Sequence, residues 1–151
     1  MQHTPSHTIC YSHRVSYGET DAMGYLYYAE YLHIFEIGRT EFLRSLGISY
    51  AEIENRGIRL PVCHATCHYR HPAHYDEVLN VHIKINEIKK ASLTFSYSVI
   101  NKHSSKLLTN GTTRLACTNI NGQLIKIPEW LINIFYGSLL MVSKDHNCSQ
   151  K

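Results

Sequence analysis

The chain has 151 residues and a formal charge of +3, from 15 Lys and Arg against 12 Asp and Glu, with 11 His besides. That length suits one domain with one core. At 44% apolar and 18% charged residues the balance is globular. The slight basic excess falls far short of the dense stripe of a nucleic-acid binder, and suits instead an anionic small molecule met by a few local lysines.

The N-terminal MQHTPSHTIC is polar, and no apolar run approaches the roughly 18 residues of a membrane span. Five cysteines (Cys10, Cys63, Cys67, Cys117 and Cys148) are odd in number and irregular in spacing, which does not read as a disulfide framework. The expectation is a cytoplasmic protein with reduced thiols and one domain over residues 8–142. Residues 1–7 and the polar tail 143–151 are its loose ends.

In chain order, residues Thr8 to Tyr17 alternate and favour β structure, so a strand is predicted. The turn-like run GETDAMG follows. Tyr27, Tyr31, Ile34, Phe35, Gly38, Phe42 and Leu46 then recur at spacings of three and four, with Glu30, His33, Arg39, Glu41 and Arg44 on the other sides. This predicts a long amphipathic helix from Tyr28 to Leu46, stopped at Gly47, in which Gly38 allows close approach to a neighbouring backbone. A short helix is predicted over Ser49 to Arg56. Four strands come next: Leu60 to Tyr69, Val78 to Lys89, Ser92 to Lys102 and Lys106 to Thr118. A last amphipathic segment starts after Pro128. One strand, one long helix and then consecutive strands is an α+β order, solved most economically by a mostly antiparallel sheet wrapped around the helix.

Four features carry chemistry. Asp21, between the first strand and a helix N-terminus, sits where free N–H groups favour an anion or a polarised carbonyl, and there it can act as base or nucleophile. Capping of its own loop is the plainer role. Cys63, His64, Cys67 and His68 invite a zinc reading. In a strand, however, like residues four apart are roughly 13 Å apart, against zinc bonds of about 2.0–2.3 Å. No metal is expected. Lys89 and Lys90, with Ser92, form a cationic hairpin end able to hold phosphates. Tyr25, Tyr27, Tyr28 and Tyr31 crowd the helix start, mostly for packing, with Tyr28 placed to line a pocket beside Asp21.

The stretch VSYGETDAMGYLYYAEYLHIFEIGRTEFLR, Val15 to Arg44, resembles the signature of hotdog-fold thioesterases of the 4-hydroxybenzoyl-CoA thioesterase type. It is nearest to the acyl-CoA thioesterases associated with the bacterial Tol-Pal system. Tyr69 to Glu77, YRHPAHYDE, is similar to a second segment of that family. The resemblance implies a five-stranded sheet around one helix, and dimers or dimers of dimers with sites at the dimer interface. The implied activity is hydrolysis of acyl-CoA thioesters, with CoA as part of the substrate and no cofactor. It carries the catalytic aspartate onto Asp21 and a carbonyl-polarising backbone N–H onto Tyr28. CoA phosphate contacts fall on Lys89, Lys90 and Ser92, and acyl-pocket lining on Leu60, Pro61 and Val62, with Gly24 and Tyr25 in the substrate loop. Departures from the pattern include Glu19 in place of an aspartate and Tyr28 in place of a frequent histidine. The competing readings are a non-catalytic acyl-CoA binding module and a hotdog lyase or dehydratase.

Overall fold

A computed structural model describes residues 4–137 of the chain. The expected tail, the domain's end at residue 142 and the first three residues lie outside them.

Strand β1 (Thr8–Arg14) leads through a single 3-10 turn (Tyr17–Glu19) into α1 (Glu30–Ser45) and the short α2 (Tyr50–Asn55). Strands β2 (Val62–Tyr69), β3 (Val78–Ile88), β4 (Ser92–Asn101) and β5 (Leu107–Ala116) follow, and α3 (Glu129–Gly137) comes last. The strands form one five-stranded sheet in the order β1-β3-β4-β5-β2, with every pairing antiparallel. This is the α+β hotdog arrangement expected from the sequence, with β1 and β2 as the edges.

Period-two patterning builds the concave face. Leu79, Val81, Ile83 and Ile85 of β3 and Leu93, Phe95, Tyr97 and Val99 of β4 are all buried. Ile83 pairs with Tyr97, and Tyr97 with Gly111, so one row crosses the sheet beneath the helix. Phe35 of α1 stacks on Tyr97 at 4.1 Å between ring centroids, and Phe42 meets Phe95 edge-on at 5.3 Å. Gly111 leaves the space that the Phe35 ring fills, since a Cβ there would strike that ring and the Thr66 carbonyl. Gly38 does approach the sheet closely, but its neighbour is the Ile83 side chain, not backbone.

Several boundaries differ from the sequence reading. Strand β1 stops at Arg14 rather than Tyr17, because the chain leaves the ladder to form the 3-10 turn, closed by Glu19 N–H donating to the Ser16 carbonyl at 3.2 Å. Helix α1 begins at Glu30, with Tyr28 and Ala29 in the turn before it. Leu60 and Pro61 precede β2. Arg39, expected on a polar side, is buried at 6% exposure, because it lies one helical turn from Phe35 on the core face. Cys63, Cys67 and Cys117 are free, whereas Cys10 is disulfide-bonded, against the expectation of reduced thiols throughout.

Candidate active site

The loop from Thr20 to Leu26 is a miniature hairpin. Thr20 and Leu26 pair as a bridge, as do Tyr25 and His74. Inside it, Asp21 N–H donates to the Tyr25 carbonyl at 2.9 Å, and Gly24 N–H to the Asp21 carbonyl at 2.9 Å. Gly24 takes φ +79, the left-handed conformation that closes such a turn without a Cβ penalty. The hairpin is clamped on both sides: Leu26 N–H donates to Ala73 O and Tyr27 N–H to Glu19 O, both at 2.8 Å.

The Asp21 carboxylate is used asymmetrically. Oδ1 accepts from the N–H of Met23 at 2.9 Å and of Tyr25 at 3.2 Å. Oδ2 has no hydrogen-bond partner among the described residues. The loop-capping role and an available oxygen therefore coexist in one side chain, which borders a cavity of about 460 Å³.

Around that cavity stand Tyr25, Tyr27, Tyr28, Tyr31 and Tyr69. Tyr28 packs edge-on to Tyr27 at 4.9 Å and to Tyr69 at 6.3 Å, and the Tyr69 hydroxyl donates to the Tyr28 carbonyl at 3.0 Å. Burial, with Cys67 beside it, pushes the Tyr69 phenol well up, and burial raises Tyr31 and the Cys67 thiol as well. A hydrogen bond with Tyr28 raises the Tyr27 phenol. Tyr28 and Ala29 immediately precede the first turn of α1, where backbone N–H groups lack intrahelical acceptors and the helix dipole is positive.

Behind the loop, His13 Nε2 meets the Glu19 carboxylate at 2.9 Å, and Ser16 N–H donates to the same carboxylate at 2.8 Å. Burial alone would raise the Glu19 pKa, but the Ser16 amide and His13 outweigh it and hold Glu19 below its ordinary 4.5.

Residues 15–135 match the thioesterase-like superfamily. The chain belongs to that family. It is 32% identical to the acyl-CoA thioesterase YbgC of Haemophilus influenzae, over 71% of this chain and 78% of that protein. It is 30% identical to the acyl-CoA thioester hydrolase YbgC of Escherichia coli O6:H1, over 70% and 78%. A solved structure of a hypothetical protein (AQ1494) from Aquifex aeolicus superposes with a TM-score of 0.79 at 32% identity, covering 83% of this chain and 98% of that one. The protein is a hotdog thioesterase, and its reaction is thioester hydrolysis.

Within one copy of the thioesterase, the residues singled out in the sequence do not all converge. Asp21, Tyr25 and Tyr28 share the cavity, and Gly24 shapes its loop. Leu60 and Pro61 line a different, larger cavity of about 700 Å³, beside α1 and α2. Val62, 47% exposed, begins the β2 edge. Lys89, Lys90 and Ser92 sit at the β3–β4 hairpin, where Lys89 N–H donates to Ser92 O at 2.8 Å and Lys89 Nζ lies 3.5 Å from Glu87. Among the described residues, no three His, Cys, Asp or Glu side chains are grouped to hold a metal ion, and no helix is long and apolar enough to cross a membrane. Tyr69, Arg70 and His71 also line the Asp21 cavity and were given no role from sequence. The available signal was their place at the end of a strand, within the second matching segment.

Proposed function

We propose that this thioesterase hydrolyses acyl-CoA to a carboxylic acid and free CoA, with Asp21 as the group that drives the reaction. The observation that carries this is the divided carboxylate: Oδ1 is fixed by two backbone N–H groups, and Oδ2 is left without a protein partner at a tyrosine-walled cavity beside a helix start. A thioester carbonyl lying against the Tyr28 N–H would find donor and dipole where negative charge develops.

In the general-base course, Asp21 takes a proton from water and the resulting hydroxide adds to the carbonyl carbon. The oxyanion then collapses with cleavage of the C–S bond, and the CoA thiolate takes up the proton. In the nucleophilic course, Asp21 itself adds, CoA leaves, and water cleaves the mixed anhydride. No metal or cofactor enters either course.

Lys89, Lys90 and Ser92 are assigned to the CoA phosphates, and Gly24, Tyr25, Leu60, Pro61 and Val62 to the acyl group. The separation of these sets within one copy supports a site completed by a second copy, in a dimer or dimer of dimers. Exposed Met23, Tyr28 and Tyr69 at the cavity, and the exposed β2 edge, support the same reading.

The test is thiol release from a panel of acyl-CoA esters, followed by a single turnover in ¹⁸O-labelled water. Hydrolysis is expected. Label recovered in Asp21 assigns the nucleophilic course and rules out the general-base course. An absence of thiol release from every ester would overturn the proposal.

A further inference from the structure

A second cavity, about 700 Å³, lies apart from Asp21 between α1, α2 and the segment preceding β2. At its wall is Arg39, 6% exposed. A guanidinium buried this deeply normally faces a carboxylate, because an unpaired charge in a poorly solvated place is costly. Arg39 has no carboxylate within ion-pair distance among the described residues.

Its protein partners are hydroxyls alone. Nη1 donates to Tyr97 Oη at 3.1 Å and to Thr113 Oγ1 at 3.3 Å, while Nε donates to Tyr50 Oη at 3.3 Å. Tyr97 and Thr113 are themselves linked at 2.5 Å, so the guanidinium is held rigidly from behind. Nη2 has no acceptor among the described residues, and it is not one of the buried atoms left unsatisfied. It is therefore reachable from the cavity that Arg39 lines.

The rest of the wall sets the ligand's charge. Arg44 and Arg59 add cations, and Glu36 and Glu54 oppose them. Arg44 is already committed to Glu41 at 2.6 Å, and Glu36 accepts from the Thr40 hydroxyl at 3.4 Å. A near-balanced wall with one open guanidinium nitrogen suits a single negative charge and disfavours a phosphate dianion beside two glutamates. Leu60 and Pro61 supply an apolar side, which fits a short carbon chain behind the charged end.

We propose that this cavity is a binding site for a small organic carboxylate, held end-on by Arg39. The carboxylate arrives either as the far end of an acyl group or as a free acid. The site stands independently of the thioester-hydrolysis reading, and only the first source rests on it.

The test is titration calorimetry of the full chain with glutaramate, the half-amide bearing one carboxylate, and with glutaramide, its uncharged counterpart. Saturable glutaramate binding is expected, with no glutaramide binding and at least about tenfold weaker affinity in Arg39→Gln, the scale of one lost charge-assisted hydrogen bond. Should Arg39→Gln not fold, Ala51→Trp decides, since Ala51 is an exposed wall residue of α2. It should weaken binding by at least about tenfold as well. No saturable glutaramate binding, equal glutaramide binding, or unchanged affinity in a folded variant overturns the site.

Thiol release separates the sources. Faster hydrolysis of glutaryl-CoA than of pentanoyl-CoA, lost in Ala51→Trp, assigns the acyl end. Equal hydrolysis of the two, with glutaramate a non-competitive ligand, assigns a free acid. If neither ester is hydrolysed, the acyl-CoA reading fails while the glutaramate titration still stands.

Discussion

Asp21 sits in a loop whose hydrogen bonds need an oxygen acceptor at that position, and one oxygen satisfies them. The other is what the chemistry requires. The same division of labour appears at Arg39, where Nε and Nη1 hold Tyr50, Tyr97 and Thr113 while Nη2 remains. Tyr97→Phe removes the hydroxyl shared by Arg39 and Thr113 and leaves a buried donor short of an acceptor. A loss of about 1–3 kcal/mol in unfolding free energy is predicted, read from urea midpoints at unchanged slope. Glu19 gives a pH prediction. Its folded pKa lies below its unfolded value, so its contribution to stability is present above about pH 4.5 and disappears as pH falls through the folded value. Glu19→Gln should therefore lower the melting temperature at pH 7, and the gap to the parent chain should close in acid. A gap unchanged down to pH 3 would refute that role.

Elements meet where side chains are missing. Helix α1 crosses the sheet at Gly38 over Ile83 and at Phe35 over Tyr97 and Gly111. The two glycines differ in what resists a methyl group. At Gly38 the obstacle is the Ile83 side chain, which can shift, and alanine brings about 1 kcal/mol of helix propensity in compensation. At Gly111 the obstacles are the Thr66 carbonyl and the Phe35 ring, which cannot both give way without parting β2 from β5. Gly111→Ala is thus predicted to destabilise by about 3 kcal/mol or more and Gly38→Ala by about 1 kcal/mol or less, by chemical denaturation. The reverse order would contradict this packing.

Element identity was legible because the periods are clean: three-and-four spacing along α1, strict alternation along β3 and β4. Ends were less so. Whether Tyr28 is helix or turn depends on the tertiary clamp of Tyr27 N–H on Glu19, which no local pattern contains. Arg39 misled for a related reason. A charged residue at a core-facing position reads as a break in the stripe, and only the facing Tyr97 and Thr113 reveal it as part of the core. In the site, Asp21 and Tyr28 were marked by the matched motif, while Tyr69 reached the cavity through β2–β5 register, which sequence spacing does not fix.

For the whole molecule, the sheet has two edges, and the β2 edge is exposed on both faces from Val62 to Ala65. A long uncovered edge invites pairing with a second copy. A dimer is predicted in sedimentation, and Val62→Lys with Ala65→Lys should shift it toward monomer. Full activity in a monomeric variant would show that one copy suffices.

The catalytic role of Asp21 is tested by comparing Asp21→Asn with the parent chain in thiol release and thermal melting. Asparagine keeps a carbonyl oxygen for the Met23 and Tyr25 N–H groups, so the loop survives and the melting temperature should stay within a few degrees. The turnover number should fall by about 10³-fold or more, the scale of removing a reacting group rather than a contact. An Asp21→Asn protein that hydrolyses acyl-CoA within about tenfold of the parent would contradict that role, and would leave Asp21 as a loop cap alone.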